Sequence, residues 1–306
     1  MKSLMFALGC LFLGVSAFSN SVDLWGKAYK IASGDVSMFD GREVRNGTLV
    51  ISEGNYDLCV KKEGGACLVI GDNTELVIDG ILKLAPNRFK SCDMIRVVGS
   101  NVKIHGKGSI MGDRHTHTGS QGEWGMGIRT DGASDVTVSG ITIADCWGDC
   151  IYIGGGSKNI RISNCLLRGS RRQGISITKA ENVTISRCQI ANISGTMPQY
   201  AIDIEPNRRC VVDNVLIEHV TVTGCEGGFR AVLGKSTFGN ARIGKVEIRS
   251  CHVSAKSRHT IHFAGCEQAV VTNCVIETRQ GEKPILTRHI GRLMQKDNKV
   301  AYTETR

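Results

Sequence analysis

The chain has 306 residues and a formal charge of +9, with 41% hydrophobic and 22% charged residues, enough apolar material to bury a core and too much for a disordered polymer. Thirty-seven glycines against four prolines and 5% aromatics suit many tight turns between short strands and argue against a helical bundle. Beyond the first twenty residues nothing is apolar for long enough to cross a bilayer as a helix, and scattered Lys and Arg residues without a basic block argue against nucleic acid as partner.

Residues 1–17 read as a cleaved secretory leader, with Lys2, an apolar run from Leu4 to Val15, and small residues at Ser16 and Ala17. The mature chain is then expected to be secreted, periplasmic or on the cell surface. There its basic surplus favours an acidic partner, an extracellular polysaccharide being the natural one. Residues 18–46 are expected to form an N-terminal cap.

From 47 to 286 the chain repeats. The segments starting at Thr48, Thr74 and Asn101 read as the first coils. Six apolar anchors follow at Val136, Ile160, Val183, Val215, Val246 and Ala269, about 23 residues apart with two longer excursions. Positions two, five and seven after each anchor are apolar as well. Alternation at spacing two means strand, and the break between the second and fifth positions means a bend. A third strand follows around Ile151, Ile175 and Ile202. Three short strands per turn describe an all-β, single-stranded right-handed parallel β-helix, whose stacked coils align equivalent residues in ladders about 4.8 Å apart. Asn or Asp usually precedes the anchor, as a polar turn ladder requires. Residues 287–306, with Ile290, Leu293 and Met294 at roughly helical spacing, are expected to be a C-terminal cap or tail.

Twelve cysteines remain after the leader. Cys165, Cys188, Cys251 and Cys274 share the inward column five residues after the anchor, which makes them small buried hydrophobes. Disulfides are better placed at Cys59 with Cys67, or Cys146 with Cys150, where the intervening loops are short. No ligand spacing for a structural metal accompanies them.

Outward positions of the third strand form a ladder of Arg129, Tyr152, Ser176, Asp203, Arg230 and His262. Asp149, Gln173, Tyr200 and His259 flank it on one side, and Asp131, Thr178 and Glu205 on the other. Such a ladder can hold an extended polymer, although solvated repeat faces also look like this. In the same region Thr130, Asp131 and Gly132, then Gly148 to Ile153, then Gln173 to Ile177, resemble the pectin-lyase superfold, and within it the polygalacturonase-type glycoside hydrolases. The resemblance covers residues 45–285 in architecture and 125–210 in motifs. It implies that Asp131 and Asp149 match aspartates acting in catalysis. It also places Gly148 where a paired aspartate belongs, Gln173 in place of a histidine, and Asp203 and Glu205 in place of a basic pair that grips a substrate carboxylate, which inverts the local charge.

The residues present suggest their own chemistry. Asp203 and Glu205 lie two apart on one strand, with Cα atoms expected about 6.5–7 Å apart, a separation suited to a general acid and a general base around a water in inverting glycoside hydrolysis. Asp149 is a third candidate carboxylate. The competing reading is an ion pair of Asp203 and Glu205 with Arg171, Arg172, Arg208 or Arg209, which would make the cluster structural or substrate-binding. Asn207, in the excursion after Pro206, is expected on the groove wall. The insertion from Gly112 to Gly125 brings His115, a candidate acid/base or metal ligand, and Trp124, a candidate sugar-stacking ring. Arg129, Asp131, Tyr152, Arg172, Gln173, Arg230 and His262 complete the candidate substrate-binding set.

The leading expectation is a glycoside hydrolase needing no cofactor. A lyase or uronate epimerase is the nearest variant, using Tyr152, a histidine or an Arg, with calcium as its candidate cofactor. A non-catalytic polysaccharide-binding or adhesion module comes from another class, because fold alone does not decide among them. The oligomeric state is not legible.

Overall fold

The computed structural model describes residues 21–31, 41–234, 239–256 and 259–303. The leader expected at 1–17 lies outside them. The described strands form three parallel sheets of 11, 11 and 10 strands, and each coil lends one strand to each in turn. The site sheet holds Trp124–Asp131, Ile151–Gly154, Ile175–Ile177, Tyr200–Ile204, Gly227–Val232 and Ile261–Ala264. The anchor sheet holds Ser134–Ser139, Ser157–Ser163 and their successors; the third sheet holds Thr142–Ala144, Leu166–Arg168 and theirs. Together they make a single right-handed parallel β-helix.

The registers follow the repeat. Val136, Ile160, Val183, Val215, Val246 and Ala269 are consecutive partners, and so are Ile143, Leu167, Ile190, Val222, Val253 and Ile276. All twelve are buried. Each apolar side chain therefore rests on its equivalent in the next coil, and full burial of a Val or Ile contributes about 1.5–3 kcal/mol before chain entropy is counted.

The corners explain why the stack keeps its phase. At the turn into the anchor sheet, Asn73, Asn101, Asp135, Asn159, Asn182 and Asn214 all have φ between 52 and 58°, a left-handed conformation that Asn and Asp tolerate better than most residues. Their side chains join rung to rung: Asn159 donates to Asp135 at 2.9 Å, Asn182 to Asn159 at 3.0 Å, and Asn214 to Asn182 at 2.7 Å. The polar turn ladder expected from the repeat is thus a chain of amide hydrogen bonds. At the turn from anchor to third sheet the inward column is filled by Ile141, Cys165, Cys188, Val220, Cys251 and Cys274, all buried. These cysteines do more than fill space, because each thiol also reaches the carbonyl two residues before it, as Cys188 does at Ser186 at 3.3 Å.

Neither expected disulfide is formed. Cys146 and Cys150 are buried thiols, Cys146 reaching the Ala144 carbonyl at 3.7 Å and Cys150 the Ser170 hydroxyl at 2.9 Å; Cys59 is an exposed thiol while Cys67 is buried.

Both ends differ from the expected caps. Ser21–Asp23 pairs with Glu43–Arg45 and Ala28–Ile31 with Gly47–Ile51, so the segment assigned to an N-terminal cap already supplies strands to two sheets. Ile285–Arg288, Arg292–Lys296 and Lys299–Thr303 form one further coil in the segment expected to be a C-terminal cap or tail. The spacing of Ile290, Leu293 and Met294 spans a corner and a strand: Ile290 and Leu293 pack on the core, and Met294 points outward. Among the described residues no helix is long and apolar enough to cross a membrane.

Candidate active site

Excursions from the coil are unevenly placed. The turn from anchor to third sheet takes two or three residues at every described coil. Longer segments leave where the chain enters or quits the site sheet, notably 112–123 and 192–199 on one side and 205–210 on the other. The outward face of the site sheet is therefore walled on both flanks. Between the walls lies a groove of about 370 Å³, lined among others by Trp124, Arg129, Tyr152, Arg172, Asp203 and Glu205.

Arg129, Tyr152, Ser176, Asp203, Arg230 and His262 are consecutive cross-strand partners, as the repeat requires. Two carboxyl centres stand on this ladder or beside it. At the first, the Asp149 carboxylate accepts from the Ser176 hydroxyl at 2.7 Å and from Arg172 Nη1 at 3.2 and 3.3 Å. It has no exposed surface and lies behind the groove wall. Burial pushes its pKa up to about 6, against the pull of Arg172 and Ser176. Arg172 is in turn 3.6 Å from Glu123, which the insertion delivers.

At the second centre, Arg230 Nη1 donates to Asp203 Oδ1 at 2.8 Å and Oδ2 at 3.0 Å, and also lies 3.2 Å from Glu205 Oε2. Burial raises Asp203 to about 7, against Arg230 and reinforced by Glu205. Burial works against the Arg230 charge, yet Asp203 and Glu205 together hold it above the usual arginine range. The ion-paired reading of the two carboxylates is therefore met, with a partner one coil onward in place of Arg171, Arg172, Arg208 or Arg209. Their nearest oxygens are within about 6 Å of one another, the most that contacts of 2.8 and 3.2 Å to one nitrogen allow, and the guanidinium occupies the place expected for a water.

The remaining candidates divide. Arg129 lies over the Tyr152 ring, 5.0 Å from its centroid, and 3.9 Å from Asp131; the Tyr152 hydroxyl accepts from Thr178 at 2.8 Å. Trp124 and Asn207 line the groove. Gln173 is fully buried and turned toward Asp203, away from the groove. His262 follows Arg230 on the ladder, its ring tilted against that of His259 with centroids 5.3 Å apart; burial, then His259, Arg230 and Arg288, depress it to about 4. His115 does not reach the groove: it is 71% exposed and sits 3.5 Å from Asp145.

Its neighbour His117, not singled out from sequence, is buried between Asp113 at 2.7 Å and the Trp147 ring, whose other contact is the Arg171 guanidinium at 3.6 Å. Arg171 also bonds Thr196 and the Gly122 carbonyl, joining two segments on the same side of the groove. Asp93, another carboxylate not singled out, is buried and paired with Arg96 toward the N-terminal end of the sheet, where burial raises its pKa. Among the described residues no three His, Cys, Asp or Glu side chains gather as a metal site requires.

Residues 79–243 match the family model described as the right handed beta helix region. The chain belongs to this family. The chain is 34% identical over 162 residues to uncharacterized protein YclG of Bacillus subtilis strain 168, covering 46% of this chain and 28% of the relative. It is 30% identical over 188 residues to the SPbeta prophage-derived uncharacterized protein YorA of the same organism, covering 53% and 32%. The match thus spans about a third of the length of these relatives. Among solved structures, the A-module of mannuronan C-5 epimerase AlgE6 from Azotobacter vinelandii superposes with a TM-score of 0.60 at 14% identity, covering 82% of this chain and 68% of that one. Endo-xylogalacturonan hydrolase from Aspergillus tubingensis gives 0.58 at 14%, covering 90% and 93%. PfbA, a surface adhesin of Streptococcus pneumoniae, gives 0.53 at 10%, covering 95% and 86%. At such identities the likeness is one of fold, the right-handed, pectin-lyase-like β-helix.

Proposed function

We propose that the chain is a polysaccharide-active enzyme that hydrolyses glycosidic bonds of an acidic extracellular polysaccharide in the groove over the site sheet. The observation that carries this reading is the Asp203–Arg230–Glu205 centre, where a buried carboxyl raised to about 7 stands beside a second, better exposed carboxylate on one shared guanidinium. A carboxyl that keeps its proton near neutrality can give it to a leaving glycosidic oxygen, while the ionised partner draws a proton from the attacking water. In this reading Asp203 is the general acid and Glu205 the general base. The acidic sugar supplies the trigger: its carboxylate competes for Arg230, drawing the guanidinium aside, which opens room for water and leaves Asp203 more firmly protonated. Trp124, Tyr152 and Arg129 would hold neighbouring sugars. Asp149, sealed behind Arg172 and Ser176, would hold Arg172 in place. The leader at 1–17 is the support for action outside the cytoplasm, and sequencing the N-terminus of the exported chain tests it.

A second reading, elimination or epimerisation at a uronate, is favoured by Tyr152 with Arg129 over its ring. Incubating the chain with acidic and neutral polysaccharides, with and without calcium, separates the readings. New reducing ends without ultraviolet absorbance, lost in Asp203→Asn and Glu205→Gln, are expected. Reducing ends with absorbance mean elimination, and proton exchange without cleavage means epimerisation. Binding without turnover means an adhesion module and overturns the enzymatic reading.

A further inference from the structure

Gln173 sits at the corner that leads into Ile175–Ile177 of the site sheet, with no exposed surface, and both ends of its amide are committed. Its Oε1 accepts the backbone N–H of Tyr200 at 2.6 Å, and its Nε2 donates to Oδ2 of Asp203 at 2.7 Å. A backbone N–H only donates, so the amide orientation is fixed by Tyr200, and Nε2 must face Asp203.

The consequence lies in counting lone pairs on Asp203. Oδ2 accepts from Gln173 and from Arg230 Nη1 at 3.0 Å, which occupies both of its lone pairs. Oδ1 accepts from Arg230 Nη1 alone, at 2.8 Å. One lone pair is therefore open on Oδ1 and none on Oδ2. We infer that Gln173 is a positioning residue that directs the proton of Asp203 onto Oδ1 and thereby fixes the face from which that carboxyl gives its proton. The second half of this role rests on the hydrolase reading above; the first does not.

The charged groups facing Asp203 are Glu205 just past the end of its strand, Arg172 on the preceding coil and Arg230 on the following one, with uncharged Ser176 beside it on the ladder. Gln173 is the neutral donor among them, so replacing its NH2 by oxygen changes one contact while keeping the shape.

The test follows the Asp203 carboxyl by carbon-13 NMR against pH in the full chain, with Asp203→Asn to assign the signal. In Gln173→Glu two carboxyls face one another and share a proton, so the midpoint is expected to rise by about one to two pH units. The alkaline limb of the cleavage rate should move by the same amount, with KM little changed. If Gln173→Glu does not fold, Gln173→Met removes the same donor and is expected to raise the midpoint too. An unmoved midpoint overturns the inference. A moved midpoint with an unmoved rate profile overturns its catalytic half and leaves a structural contact. Absence of turnover in wild type removes the hydrolase reading and, with it, that same half, while the titration still tests whether the Gln173 donor sets the proton affinity of Asp203.

Discussion

Replacing Arg230 by methionine isolates the charge on which the proposed acid and base both depend. Nη1 lies 2.8 and 3.0 Å from the Asp203 oxygens and 3.2 Å from Glu205, and Asp203 is almost entirely buried. Two unit charges about 4 Å apart at an effective dielectric of 20 attract by roughly 4 kcal/mol. At 1.36 kcal/mol per pH unit that is about three units, an upper bound, and a neighbouring arginine ordinarily lowers an aspartate by about one to three. Asp203, already raised to about 7, is therefore expected to titrate at roughly 8 to 10 in Arg230→Met, with Glu205 now pushing it unopposed. Carbon-13 titration of the carboxyl measures this without substrate. In turnover the alkaline limb should extend upward while KM for an acidic polymer rises and KM for a neutral one does not. A midpoint unchanged or lowered in Arg230→Met would refute the electrostatic reasoning, since it would mean that burial alone sets the proton affinity of Asp203.

Other outcomes test the scaffold and the groove. Asn182→Ala removes two ladder hydrogen bonds and forces alanine into a left-handed conformation, at a cost of about 2–3 kcal/mol in urea unfolding; Asn182→Gly should recover about 1 kcal/mol, and a glycine variant no better than alanine would contradict the conformational part. Cys188→Ser should cost only about 1 kcal/mol, because the hydroxyl inherits the Ser186 carbonyl as partner. Asp203 holds its proton longer folded than unfolded, so its contribution to stability is full below about 3.8 and is lost as pH climbs through about 7. The stability of Asp203→Asn relative to wild type should accordingly improve from pH 4 to pH 8, a comparison in which the opposite drift from His262 cancels. Trp124→Ala should raise KM with little change in melting temperature, since the ring is half exposed on the groove wall.

The coil and its ladders were legible because stacking at one strand spacing forces equivalent residues into register, and the period of Val136, Ile160 and Val183 is written directly in the chain. The same logic placed Asp203 beside Arg230. It did not identify Arg230 as the ion-pair partner, because arginines on the preceding coil and in the following loop were equally near by period and by sequence, and only side-chain packing selects the one 27 residues onward. His115 and His117 show where periodicity ends: both lie in one insertion, and only the packing of Asp113, Trp147 and Arg171 decides which histidine is buried. Gln173 was read as facing substrate because it flanks the ladder, yet its position lies at a corner where the side chain turns beneath the sheet.

The two- or three-residue turn between anchor and third sheet has a consequence for how such a chain can diversify. That edge holds to two or three residues at every described coil, whereas the two edges bounding the site sheet already carry inserts of different sizes at neighbouring coils. Recombination that trades one wall segment for another leaves every rung of the spine in place. Recognition can thus be rebuilt loop by loop on a constant support, and grafting foreign segments at 112–123 or 205–210 is the route by which a new specificity would be engineered here.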